Sequence, residues 1–300
     1  MDLTAEIRKL AEEKKAIILA HNYQPEEIQR VAHVSGDSLE LSRIAAANEA
    51  EMIVFCGVHF MAESASILAP DKKVILPEPK AGCPMAEMAE TEDLERMKEE
   101  HPDALVITYI NSTASVKALS DIICTSSNAK DIVQRAERDK ILFVPDRNLG
   151  SYVQNFTDKE IVLWKGFCPT HENLTTEDLK KVKEAHPDAL VMVHPECQPA
   201  VVAEADEVFS TGEMVRFVQR TDAQKIIVGT EEDMIHKLRS VAPHIQYIKA
   251  SDHFICPNMK KITLEKLYNA LLNEETVITV NNSIREKAQM ALTRMLELSQ

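Results

Sequence analysis

The sequence predicts an α/β protein of three homologous αβα units, with parallel sheets arranged in pseudo-threefold symmetry. Three observations carry that expectation: a repeat of about 85 residues, short apolar runs alternating with helical patterns, and one Cys-Pro pair in each repeat.

The segment from Cys83, CPMAEMAETEDLERMKEEHPDALVITYIN, aligns without gaps on the segment from Cys168, CPTHENLTTEDLKKVKEAHPDALVMVHPE. These cysteines lie 85 residues apart, and both TEDL and HPDALV recur whole. A third Cys-Pro follows 88 residues later at Cys256, ahead of a helical pattern (TLEKLYNALL) and a strand-like run (TVITV).

Each unit runs through its elements in one order. The apolar runs IILAH, VITY and LVMVH end at His21, Tyr109 and His194. Seventeen residues later come Ser38, Ser126 and Thr211, each in a turn that opens a helical pattern. A second apolar strand follows (MIVFCG, ILFVPD, IIVGT), then a short third one (KVILP, EIVLW, IQYIK). Short, continuously apolar strands suit parallel sheets covered by helices on both faces. The expected boundaries are 1–88, 89–173 and 174–262 for the three units, with a closing segment at 263–300. A first helix is expected over 3–13, with Leu3, Ile7 and Leu10 on its inner face. A last helix is expected over 284–298, opened by a Ser283–Glu286 capping box and packed through Ile284, Ala288, Leu292 and Met295.

Bulk properties exclude several classes. With 34 basic and 48 acidic residues the net charge is −14, which leaves no cationic surplus for nucleic acid. No apolar run approaches the ~20 residues that span a bilayer, and MDLTAEIRKL has no signal-peptide pattern, so the chain reads as cytoplasmic. Six cysteines in that compartment read as core residues or metal ligands rather than disulfides. Neither GxGxxG nor GxxxxGK[ST] is present.

Cys56 and Cys124 lie in apolar strands and read as core. Cys83, Cys168 and Cys256 differ, because equivalent loops around a threefold axis bring three thiolates to one point. Soft thiolates select zinc, copper(I) or an iron–sulfur cluster. A cubane with three protein ligands keeps one iron open to substrate. Zinc held by three cysteines and a water is the alternative that the residues leave open. Cys197, beside His194 and Glu196, is a spare ligand without a repeat equivalent.

Binding sites of parallel sheets lie beyond the C-terminal strand ends. There His21, Tyr109 and His194 offer proton-transfer groups, with Asn22, Tyr23, Asn111 and Glu196 beside them. Ser38, Ser126 and Thr211 read as helix N-caps that also suit carboxylate or phosphate.

LAHNYQ at 19–24, GDS at 36–38, FMAE at 60–63, YINST at 109–113, TSSNA at 125–129, PDRNLG at 145–150, HPEC at 194–197, STG at 210–212 and the three Cys-Pro loops together resemble the quinolinate synthase family, in order and over essentially the whole chain. The resemblance implies a central [4Fe–4S] cluster held by Cys83, Cys168 and Cys256, with one iron not ligated by protein. It implies condensation of iminoaspartate with dihydroxyacetone phosphate, releasing phosphate and two waters, to give quinolinate for NAD biosynthesis. Substrate contacts carried over by resemblance fall on His21, Ser38, Tyr109, Ile110, Asn111, Ser126, His194, Pro195, Glu196 and Thr211. Catalytic roles fall on Glu196, His194, Tyr109, His21 and Tyr23. Partners are then the two small-molecule substrates, with a transient contact to the enzyme that makes iminoaspartate. A non-catalytic iron–sulfur sensor and a zinc hydrolase are the other readings. Some family members carry CxxCxxC near the last ligand; HFICPNMKK has Cys256 alone, so no thiol–disulfide switch is expected there.

Overall fold

A computed structural model describes residues 2–299. The first sheet contains β1 (Ala16–His21), β2 (Val34–Gly36), β3 (Met52–Cys56) and β4 (Lys73–Ile75). The second contains β5 (Leu105–Tyr109), β6 (Ile122–Cys124), β7 (Lys140–Val144) and β8 (Glu160–Leu163). The third contains β9 (Leu190–Val193), β10 (Glu207–Val208), β11 (Lys225–Gly229) and β12 (Gln246–Lys249). Every ladder pair is parallel, and the orders β2-β1-β3-β4, β6-β5-β7-β8 and β10-β9-β11-β12 are the same order three times.

The central strands are apolar because helices cover both of their faces. All five residues of β3 and all five of β5 are buried. The edge strands β2, β6 and β10 are a finding beyond the sequence expectation. They are only two or three residues long, too short for a periodic signal. Each leads directly into the turn that carries one of the candidate hydroxyls.

Those hydroxyls are not the helix caps. The helix Ser38–Ala47 is capped by Asp37, whose Oδ1 accepts from Glu40 N at 2.8 Å. The helix Thr211–Val218 is capped by Ser210 in a capping box with Glu213. Ser38 and Thr211 are therefore first helical residues, while Ser126 precedes the helix Ala129–Arg135 by three positions. With capping done by a neighbour, the hydroxyl side chain is released from the helix end.

The first helix spans Leu3–Glu13, capped by Asp2, and buries Ile7 and Ala11 with Leu3 and Leu10 at its margin. The closing segment departs from the repeat. Its helix Leu264–Asn273 packs on Leu3–Glu13 and ends at Glu274 in a left-handed conformation. The Glu274 carboxylate takes Lys14 at 2.7 Å and Lys73. TVITV opens no further strand. It runs antiparallel along the free edge of β4, through one bridge between Ile75 and Val277 and the bond from Ile278 N to Val74 O at 2.8 Å. An apolar alternation signals an extended chain, but a sheet also needs a second partner, and here one edge is all that is offered. The last helix runs Asn282–Leu298 and starts from Asn281, whose Oδ1 accepts from Ser283 N at 3.0 Å, instead of from a Ser283–Glu286 box. Its Ala288, Leu292 and Met295 are buried, and Ile284 is partly so.

Candidate active site

The C-terminal strand ends of all three sheets converge on one cavity of ≈ 150 Å³. It is lined by Cys83, Cys168 and Cys256 together with His21, Tyr23, Ser38, Tyr109, Asn111, Ser126, His194, Glu196 and Thr211. The side chains of Ile110 and Pro195 are buried but do not line it; Ile110 N instead bonds Cys124 O at 2.8 Å in the core. Cys56 and Cys124 are buried core thiols. Cys197 is core as well, with Sγ 3.5 Å from Gly229 O, so the spare-ligand expectation fails on geometry.

Units 1 and 3 use one backbone device. His21 Nδ1 accepts from Tyr23 N at 3.2 Å, and His194 Nδ1 accepts from Glu196 N at 3.3 Å. With Nδ1 accepting, the proton of each neutral ring sits on Nε2. His194 Nε2 then faces Ser126 Oγ at 3.2 Å. Burial lowers both imidazoles, to about 4 for His21 and about 3 for His194, so both are neutral at physiological pH.

Glu196, 3% exposed, is the hub. Its Oε2 lies 2.8 Å from His171 Nδ1 and 3.5 Å from His194 Nδ1, and its Oε1 accepts from Asn111 Nδ2 at 3.4 Å. Burial alone would raise this carboxyl, but His171, His194 and the Tyr109 hydroxyl outweigh burial and hold it low. Burial, then the charge of Glu196, pushes both Tyr23 and Tyr109 well above the ordinary phenol value. Asn22 Nδ2 donates to Thr211 Oγ1 at 3.1 Å, fixing that hydroxyl between units 1 and 3.

Three further residues lie outside the sequence reading: His171 and Glu231 line the cavity, and Thr230 bonds to its lining. His171 Nε2 lies 2.8 Å from Thr230 Oγ1, which lies 2.6 Å from Tyr23 OH. The path Tyr23–Thr230–His171–Glu196 thus joins unit 1 to unit 3, with His171 Nδ1 placed between Glu196 Oε2 at 2.8 Å and Cys168 Sγ at 3.2 Å. Glu231 is fully buried, accepting from Cys256 N at 3.1 Å and pairing with Lys260 at 2.6 Å. Burial raises this carboxyl, and Lys260 opposes the rise.

A model of the family described as "Quinolinate synthetase A protein" matches residues 5–297. The chain belongs to that family. The quinolinate synthase of Caldicellulosiruptor saccharolyticus is 51% identical over 295 residues, covering 98% of this chain and 97% of the relative. That of Geobacter sp. (strain M21) is 50% identical over 296 residues, covering 99% and 97%. Quinolinate synthase 2 of Methanosarcina acetivorans is 49% identical over 297 residues, covering 99% and 96%.

Membership of the quinolinate synthase family implies an iron–sulfur cofactor, and the donors here fit one. All six cysteines are free thiols, and three of them share the cavity. Cys83 and Cys168 each precede a one-turn helix that starts with proline, so backbone N–H groups point back at sulfur. Burial pushes Cys83 up to about 12, while bonds from the amides of Ala86 and Met85 oppose the rise. Cys256 is likewise raised by burial and offset by the amides of Met259 and Asn258. Three thiolates that repel one another and receive oriented amides are suited to a shared positive centre. Cys168, His171 and Glu196 also bring ligand atoms within 4.8 Å of one another. Both nitrogens of His171 are, however, engaged, Nε2 by Thr230 and Nδ1 by Cys168 Sγ at 3.2 Å and Glu196 Oε2 at 2.8 Å, the pattern of a hydrogen-bonded histidine.

Proposed function

We propose that this cavity is where the chain makes quinolinate, from iminoaspartate and dihydroxyacetone phosphate, with phosphate and two waters leaving. The observation that carries the reading is the contact path Tyr23–Thr230–His171–Glu196, whose Tyr23, His171 and Glu196 line the same cavity as three equivalent cysteines. Cys83, Cys168 and Cys256 would hold a [4Fe–4S] cluster, one per chain. When bound, its iron without a protein ligand supplies a Lewis acid for a hydroxyl or carboxylate oxygen of the pyridine precursor.

The chain's own residues manage the protons. A phenol pushed up by burial gives up its proton only to a prepared acceptor. Tyr23 OH points to Thr230, Thr230 to His171 Nε2, and the imidazolium formed is stabilised by Glu196 at its Nδ1, as in other residue chains of this logic. Tyr23 then serves as base toward the condensed intermediate and returns the proton to a leaving hydroxyl. His21, neutral and with Nε2–H facing inward, assists the keto–aldo shift of the triose portion. Tyr109 and Asn111 orient the intermediate against Glu196. Ser38, Ser126 and Thr211, with His194 donating toward Ser126, hold the carboxylates or the phosphate.

We place the chain in the cytoplasm; among the described residues no helix is long and apolar enough to cross a membrane. Imines hydrolyse in water, which favours a transient contact with the enzyme that makes iminoaspartate. Anaerobic purification, iron and sulfide analysis, and quinolinate formation from the two substrates test the reading together. Zinc in place of iron, or a loaded chain that makes no quinolinate, would sink it.

A further inference from the structure

A second, larger cavity of ≈ 690 Å³ lies directly outside the first. The two are separated by a wall one residue thick at each of three turns, one per unit. Ser38, Ser126 and Thr211 face the inner cavity, and their chain neighbours Leu39, Ser127 and Gly212 face the outer one. Asp37 lines both. On the pseudo-threefold axis the wall is closed by hydrogen bonds across units: Ser127 Oγ donates to Asp37 Oδ2 at 2.6 Å and lies 3.0 Å from Ser210 Oγ. Gly212 completes the closure, since a Cβ there would overlap Asp37 Oδ2.

The outer cavity opens to solvent among exposed Arg43, Arg216, Glu40 and Asp131, with Lys237 partly buried at its floor. With Asp37 included, three cations meet three carboxylates. The vestibule is therefore locally neutral on a protein of net charge −14, the condition under which an anion approaches with least repulsion. Lys237 is held by Ser35 O at 3.0 Å and Ser35 Oγ at 2.8 Å, and Arg216 borders Gly212. Two cations thus stand at the threshold of the closure.

We propose that Asp37, Ser127 and Ser210 form a gated port on the pseudo-threefold axis, through which carboxylate- and phosphate-bearing substrates pass from this vestibule into the reaction cavity. The port rests on the functional reading above. The closure is two hydroxyl contacts beside one capping carboxylate; the serine hydroxyls can turn to donate to a substrate oxygen while water takes their place on Asp37. An arriving anion paired with Arg216 and Lys237 displaces Ser127 from Asp37, and the polar wall re-forms behind it.

The test uses anaerobic holoenzyme and two measurements: steady-state kinetics, and rapid-mixing association of quinolinate read through cluster absorption. Ser127→Leu places a branched apolar side chain in the port and should slow quinolinate association roughly tenfold, with kcat/KM falling more than kcat. Ser127→Ala, which removes the latch with little risk to folding, should leave association at least as fast as in the wild type. Arg216→Glu and Lys237→Glu should each lower kcat/KM about three- to tenfold, with a loss that shrinks as ionic strength rises. Wild-type association in Ser127→Leu, or charge reversals without salt dependence, overturns the port. A wild-type chain that neither makes nor binds quinolinate overturns the functional reading instead.

Discussion

Units 1 and 3 end their first strands in the same way and with opposite chemistry. In each, a strand-end histidine accepts an amide proton from the residue two positions on. That residue is a phenol in unit 1, Tyr23, and a carboxylate in unit 3, Glu196. Unit 2 carries Tyr109 and Asn111 at the equivalent places, with no histidine at that strand end. One backbone frame, copied three times, thus presents a phenol, a phenol–amide pair and a carboxylate to a common cavity. The asymmetry of the cavity comes from side chains, while the strand order is the same in all three units.

The largest expected effect breaks the link between units 1 and 3 at its ends. Tyr23→Phe and Glu196→Gln should each lower kcat by about 10²–10⁴-fold while iron content and the cluster spectrum stay as in the wild type. Turnover within tenfold of the wild type would remove that residue from the path. Thr230→Val and His171→Ala cut the middle of the path and should fall in the same range. A double variant of Tyr23→Phe with Thr230→Val should be hardly slower than either single variant, because residues acting as one unit are not additive. Multiplicative losses would separate them. Cys256→Ala tests the three-thiol set itself: iron content per chain should collapse, and unchanged iron would refute ligation by the three loops.

A smaller effect concerns unit 2, whose charge lies behind the cavity. Lys117 is fully buried, donates to Ser112 O and stands 5.3 Å from the Phe60 ring centroid. Burial lowers its ammonium to about 8, with Glu63 and Cys83 opposing the drop. A folded-state value below the unfolded one means the unfolded chain binds more protons between pH 8 and 10.5. Burial of the charge therefore costs stability in full below pH 8, and the cost fades as pH rises toward 10.5. Chemical denaturation of wild type and Lys117→Met should show the wild type gaining on the variant across that window, by on the order of 3 kcal/mol. A constant difference would show that burial does not lower the Lys117 ammonium below its unfolded value.

Much of this was legible in the chain because repetition supplied what one sequence usually lacks, an internal comparison. The strands β1, β3, β5, β7, β9 and β11 stood out as buried apolar runs, and the three cysteines as equivalent positions. His171 and Thr230 escaped for the same reason in reverse. The residues equivalent to His171 are Ala86 and Met259, so the repeat marked no pattern at His171. The helix caps were misplaced by one residue at Ser38 and Thr211, since Asp-Ser and Ser-Thr each offer two competent caps and only packing selects between them. TVITV was misread because periodicity reports a local conformation and is silent about the partner edge.

The three cavity cysteines come from three different thirds of the polypeptide. A growing chain acquires the first at residue 83 and the second at residue 168, but only a chain extended past residue 256 owns the complete set. A cofactor held by all three thiols, as proposed, could be completed only after most of the message is translated. A truncated product ending before Cys256 would be left with two thiols, unable to sequester iron in the three-thiol centre.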